Sequence, residues 1–218
     1  MKRIKSIFAL TLALLLILSL AACGGNTKTA ETTAANTNEK SAVQETEKQA
    51  AGSGTGETTS GTSKVLVAYF SATGTTKGVA EKIASLENAD LYEIVPAQPY
   101  SDDDLNWNDS NSRSTIEQND KTIRPEIGSE KISLDGYSTI YLGFPIWWGE
   151  EPRIMDTFVE SYDFTGKTVI PFCTSGGSGI GSSGDNLKSN AGSGNWKNGD
   201  RLDAGISDTE LQSWLDSK

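Results

Sequence analysis

Three stretches of this 218-residue chain are short, uninterrupted and apolar: Val65-Leu66-Val67-Ala68-Tyr69-Phe70, Thr139-Ile140-Tyr141-Leu142-Gly143-Phe144 and Thr168-Val169-Ile170-Pro171-Phe172-Cys173. A strand with one wet face alternates polar and apolar residues. These do not, so both faces need cover, the condition of a strand inside a parallel sheet. Leu91 to Val95 can supply a further strand. Between the runs lie helical signals. Val79, Ala80, Ile83 and Ala84 form one stripe after Thr75, and Ile154, Met155, Phe158 and Val159 form another after Pro152, which suits a first helical turn. Near the end, Ser207 and Glu210 make a capping box, Ile206 and Leu211 a hydrophobic staple, and Leu211, Trp214 and Leu215 a buried side. Strands alternating with helices predict a doubly wound α/β sheet over residues 64–218.

Two stretches of that region are less patterned. Gln98 to Gly136 is acidic, polar and longer than an ordinary connection, so a short helix or a functional loop is expected within it. Asn190 to Gly205 is rich in Gly and Asn, so a fifth strand, around Asp200 to Asp203, must be short and at an edge.

The chain has no histidine and two cysteines, which excludes His-based triads, His metal sites and cysteine clusters. Its 29 acidic against 19 basic residues, net −10, argue against a nucleic-acid face.

The first 63 residues read differently. Lys2, Arg3 and Lys5 precede an apolar run from Ile7 to Leu18, short for a membrane span and suited to a secretory signal. Leu20-Ala21-Ala22-Cys23 resembles the bacterial lipobox, which implies cleavage after residue 22 and lipidation of Cys23; an ordinary secreted protein with a chance cysteine is the plainer alternative. From Gly24 to Ser63, Val43 is the only large aliphatic side chain, too little apolar surface to offset ordering entropy. Residues 23–63 therefore read as a lipidated, disordered tether. Residues 64–218 carry 24 acidic and 13 basic side chains, net −11, and would be repelled by an anionic membrane surface. The expected membrane contact is through the lipid alone, outside the cytoplasm.

Three loops lie where the carboxyl ends of the strands should be. Ser71-Ala72-Thr73-Gly74-Thr75-Thr76 combines hydroxyls, a glycine and the free N–H groups of a helix start, a cradle for a terminal monophosphate, with Lys77 the only cation nearby in sequence. It lacks the spacing of GxxxxGK[ST] and of GxGxxG; a plain capped turn is its bland alternative. Pro145-Ile146-Trp147-Trp148-Gly149 follows the next strand. Neighbours on an extended segment point to opposite sides, so one indole is expected inward and the other against a flat aromatic ligand, unless both belong to the core. Thr174-Ser175-Gly176-Gly177-Ser178-Gly179 leaves the third run, and its glycines let backbone approach a heterocycle. Cys173 reads as a buried small hydrophobe. Glu150 and Glu151 would either complement a helix start or disfavour added negative charge on a ligand.

In order and placement these loops resemble those of the flavodoxins, over essentially all of residues 64–218. Gly143 to Gly149 and Pro171 to Gly179 are similar to the two flavin loops of the flavodoxin-like reductase branch, and Asp104-Leu105-Asn106-Trp107-Asn108 with Arg124-Pro125-Glu126-Ile127 also look like that branch. The resemblance implies a three-layer sandwich with a five-stranded parallel sheet of order 2-1-3-4-5, non-covalent FMN, and a peptide at or just before Gly149 that reorients on reduction. It departs from the pattern in one respect: no aromatic follows Cys173, so either Trp107 or Tyr100 covers the second flavin face or that face is open. The implied function is electron transfer to a redox protein or quinone-type acceptor. An NAD(P)H-dependent flavin or quinone reductase is the alternative, and a flavin-less binding module on the same fold is a third.

Overall fold

The computed structural model describes residues 64–218; the signal segment, Cys23 and the tether read from the sequence lie outside the described residues. The elements run β1 (Lys64–Tyr69), α1 (Thr75–Glu87), β2 (Asp90–Glu93), α2 (Arg113–Asn119), β3 (Tyr137–Pro145), α3 (Arg153–Glu160), β4 (Thr168–Thr174), α4 (Ser183–Ala191), β5 (Asn195–Trp196), β6 (Asp200–Arg201) and α5 (Asp208–Leu215). The sheet is parallel, of order β2-β1-β3-β4-β5, with β6 also on β4.

The uninterrupted apolar runs are the three central strands, and their alternate residues serve two separate cores. Leu66, Ala68, Phe70, Ile140, Leu142 and Phe144 meet Ile154, Met155, Phe158 and Val159 of α3 and Leu187 of α4. Val67, Tyr69, Tyr141, Ile170 and Phe172 meet Val79, Ala80 and Ile83 of α1 and Leu211 and Leu215 of α5. Phe158 is fully buried among Tyr92, Tyr162 and Phe164; truncating such a ring to alanine costs about 3–5 kcal/mol. The capping box of α5 forms as expected: Ser207 accepts from the Glu210 amide, and the Glu210 carboxylate accepts from the Ser207 amide at 3.1 Å. Helix α4 has no apolar stripe, only Leu187 among its buried apolar side chains, which is why periodicity does not reveal it.

The fifth strand position is filled by two fragments, and β4 explains the break. Lys197 and Leu202 donate their amides to the Val169 and Cys173 carbonyls at 2.9 and 2.8 Å. Between these, Pro171 has no N–H to offer its neighbour, so the ladder is interrupted and the fifth-strand side gains one residue between its two registers. Gly199 lies over the proline: a Cβ there would come 2.5 Å from the Pro171 carbonyl oxygen. The expected strand at Asp200–Asp203 is thus the second fragment, Asp200–Arg201.

Candidate cofactor site at the carboxyl edge of the sheet

β1, β3 and β4 release their loops at one edge. In the first, Gly74 stands before α1 at φ 85°, with no side-chain cap on the helix and no acidic residue in its first turn. The leading amides of α1 therefore lack a side-chain acceptor, a polarity that favours an anion. The Ser71 hydroxyl is buried without a hydrogen-bond partner, and the exposed hydroxyls of Thr73 and Thr75 lie 3.4 Å apart. Thr76 is buried, its hydroxyl 2.8 Å from that of Thr174. Lys77 is diverted: its ammonium pairs with Glu93 at 3.2 Å, and the Tyr69 hydroxyl donates to the same carboxylate oxygen. The cradle thus consists of neutral donors and a helix end.

The second loop is a tight reversal. The Trp147 amide donates to the Glu150 carbonyl at 2.9 Å and the Glu150 amide to the Trp147 carbonyl at 3.1 Å. Trp148 (φ 49°) and Gly149 (φ 85°) between them are both left-handed, the pattern of a type I′ turn. The two indoles do part company, but a reversal separates them, where an extended segment was expected. Trp147 packs edge-on to Phe70 and Tyr100, with ring centroids 5.6 and 5.1 Å away. Trp148 is 45% exposed. An indole held at positive φ is strained, and such strain concentrates at binding sites.

The long segment before β3 supplies the facing wall. A cavity of about 420 Å³ is lined by Thr73 of the first loop, by Ile146, Trp147 and Trp148 of the second, and by Leu105, Trp107 and Ser114 of the insert. Trp107 is 73% exposed at its mouth. Of the two candidates for a second cover, Trp107 reaches the cavity. Tyr100 is turned behind Trp147, donating to Glu117 at 2.6 Å beneath the Arg113 guanidinium. Leu105 lies in the Asp104–Asn108 segment that resembles the reductase branch, which gave it no role of its own, and Ser114 carries no sequence signal for the site, since their loop meets it only through tertiary packing.

The third loop lies beside this cavity and does not line it. Thr174 binds Thr76 and accepts the Ile146 amide at 3.0 Å, so all three loops are joined through it. Ser175 accepts from the Gly177 amide at 3.2 Å and donates to the Ser178 carbonyl, while Gly176, Gly177, Ser178 and Gly179 are exposed. Arg201 reaches the Ser175 carbonyl at 3.4 Å and pairs with Asp203 at 2.6 Å. Cys173 is fully buried, and burial pushes its thiol up to about 12, which suits packing.

Glu150 and Glu151 do not stand as two free charges. Glu150 pairs with Lys121 at 2.7 Å and Arg153 at 2.9 Å, and the Lys121 contact holds its carboxyl below the usual range. Glu151 is fully buried beside Asn186, and desolvation pushes its carboxyl up. The first-turn acid of α3 is instead Asp156, also buried, pushed up by desolvation, and paired with Arg153 at 3.0 Å. Among the described residues no group of acidic and Cys side chains could hold a metal ion, and no helix is long and apolar enough to cross a membrane.

Solved structures resemble this chain closely. A protein from Bacteroides eggerthii, provisionally assigned as a flavoprotein, is 49% identical over 71% of this chain and 96% of its own, with a TM-score of 0.67. Another with that provisional assignment, from Bacteroides uniformis, is 48% identical over 70% of this chain and 97% of its own, also at 0.67. A flavoprotein from Lactobacillus acidophilus in complex with FMN is 26% identical over 70% of this chain and 99% of its own, at 0.52. No curated protein matches the chain. Residues 64–218 match the sequence model of the flavodoxins from end to end, and with the sheet order and three-loop edge described above, the chain belongs to the flavodoxin family.

Proposed function

We propose that this protein is an FMN-binding electron carrier held outside the cytoplasm by a lipid on Cys23. The observation that carries the cofactor assignment is the cavity itself. It has Thr73 of an uncharged, anion-seeking cradle at one end and three indoles in its walls. The residues fit FMN: the orphaned Ser71 hydroxyl and the uncapped start of α1 suit its monophosphate, and Trp107 and Trp148 offer flat apolar surfaces to its ring system. The FMN found in the Lactobacillus acidophilus relative supports the same cofactor.

Bound FMN supplies the electron transfer, and the protein supplies binding, orientation and electrostatics. Ser71, Thr73 and Thr75 hold the phosphate end by hydrogen bonds from hydroxyls, with Thr76 fixed in place by Thr174. Trp147, backed by Phe70 and Tyr100, is a rigid wall. Trp148 and Trp107 are the exposed ones, placed to exclude water from the ring and to meet an incoming redox protein or quinone-type acceptor. The net −11 of residues 64–218 opposes accumulation of further negative charge, which favours a low reduction potential.

The deciding experiment is a titration of the purified protein with FMN, read by absorbance and flavin fluorescence, followed by an NAD(P)H oxidation assay. Saturable quenching with no NAD(P)H turnover is expected of a carrier. Turnover with a quinone would make it a reductase, and a colourless, non-quenching protein would end the flavin assignment. Anchoring has its own test: Cys23→Ala should move the protein from the membrane fraction to the soluble one.

A further inference from the structure

The type I′ turn at Trp147–Glu150 and the facing insert are tied together by one buried side chain. Gln118, near the end of α2, donates through Nε2 to the Trp147 carbonyl at 2.7 Å and to the Glu151 carbonyl at 3.2 Å. Its Oε1 accepts from Nε of Arg153 at 2.8 Å, which fixes which way the amide faces. Arg153 is almost wholly buried, and Nη2 donates to the Glu150 carboxylate at 2.9 Å and the Glu151 carbonyl at 3.2 Å, while Nη1 donates to Asp156 at 3.0 Å. Every contact here is buried or partly buried, where an unmade hydrogen bond is costly.

The two partners have different jobs. Arg153 lies at the start of α3 and belongs to the frame beneath the turn. Gln118 belongs to the insert that contributes Leu105, Trp107 and Ser114 to the cavity. The amide therefore ties the insert to the loop that forms the other wall, grasping the first residue of the strained turn by its carbonyl. We propose that Gln118, oriented by Arg153, is a positioning residue that sets the spacing and conformation of the FMN slot without lining it. This rests on the FMN reading above.

Gln118→Glu isolates the role. The carboxylate keeps the length and the Arg153 contact but cannot donate, and it sets a negative charge against two carbonyl oxygens; protonation restores one donor. The measurements are the FMN dissociation constant, the midpoint potential and acrylamide quenching of the tryptophans in FMN-free protein, each at pH 8 and pH 5 beside the wild type. At pH 8 the variant should bind FMN about tenfold more weakly, show a shifted potential and expose the half-buried Trp147 to quencher. At pH 5 it should return towards the wild type. Gln118→Met, of similar volume with no donor, should weaken binding at both pH values and serves if the Glu variant does not fold. Wild-type affinity and potential in both variants, or a loss confined to thermal stability, would overturn the positioning role. A wild-type protein that takes no FMN would instead overturn the functional reading, and this inference with it.

Discussion

The hydroxyl of Thr76, in the first turn of α1, lies 2.8 Å from the hydroxyl of Thr174, the last residue of β4, and both side chains are buried. This bond joins the Ser71–Thr76 loop to the strand end that also takes the Ile146 amide. Thr174→Val keeps the shape and leaves the Thr76 hydroxyl without its partner. It should cost about 1–3 kcal/mol by urea unfolding, and FMN should recover less of that loss than it adds to the wild type.

Trp148 and Gly149 occupy the two left-handed positions of their turn, where Asn-Gly is the favoured pair. Trp148→Asn should therefore stabilise the FMN-free protein, by about 1 kcal/mol, while weakening FMN binding through loss of the ring. The two effects have opposite signs, so thermal melts without cofactor and a fluorescence titration with it separate strain from contact.

Trp107, 73% exposed, has little to contribute to folding and lines the cavity. Trp107→Ala should change stability by less than about 0.5 kcal/mol and raise the FMN dissociation constant by roughly three- to tenfold, as expected for a lost stacking surface of about 0.5–1.5 kcal/mol. Equal FMN affinities in variant and wild type would show that this face of the ring is open.

Glu151 and Asp156 are fully buried, and desolvation raises both carboxyls above their ordinary values of 4.5 and 3.8. Above those values the folded state binds more protons than the unfolded state, so stability falls with rising pH until the folded-state values are passed. Glu151→Gln removes one such group and keeps an oxygen for Asn186. Its melting temperature relative to the wild type should climb as pH rises from about 4.5, in a series of thermal melts; a constant difference would mean that folding leaves the Glu151 carboxyl unshifted.

The layers of the fold are visible in particular residues of the chain. Val65 to Phe70 shows no alternation because its alternate side chains enter two different cores, and the stripes at Val79–Ala84 and Ile154–Val159 are the two helix faces that close them. Helix α4 escapes this reading because it packs through a single leucine, with Asn186 and Asn190 bonding to the buried acids Glu151 and Asp156. The split fifth strand has a cause in sequence, Pro171, but its effect falls on residues some 28 positions later.

Periodicity and loop chemistry are local properties, and so the sequence by itself determined the parallel sheet, the helices on α1, α3 and α5, and the three loops at one edge. Tertiary structure alone decided that Lys77 turns to Glu93 and leaves the cradle neutral, that Trp107 and not Tyr100 faces the cavity, and that Gln118 holds the Trp147 carbonyl. Those outcomes depend on which distant groups desolvate one another. A buried donor must find an acceptor wherever packing places one, and here that acceptor is 29 residues away in the chain.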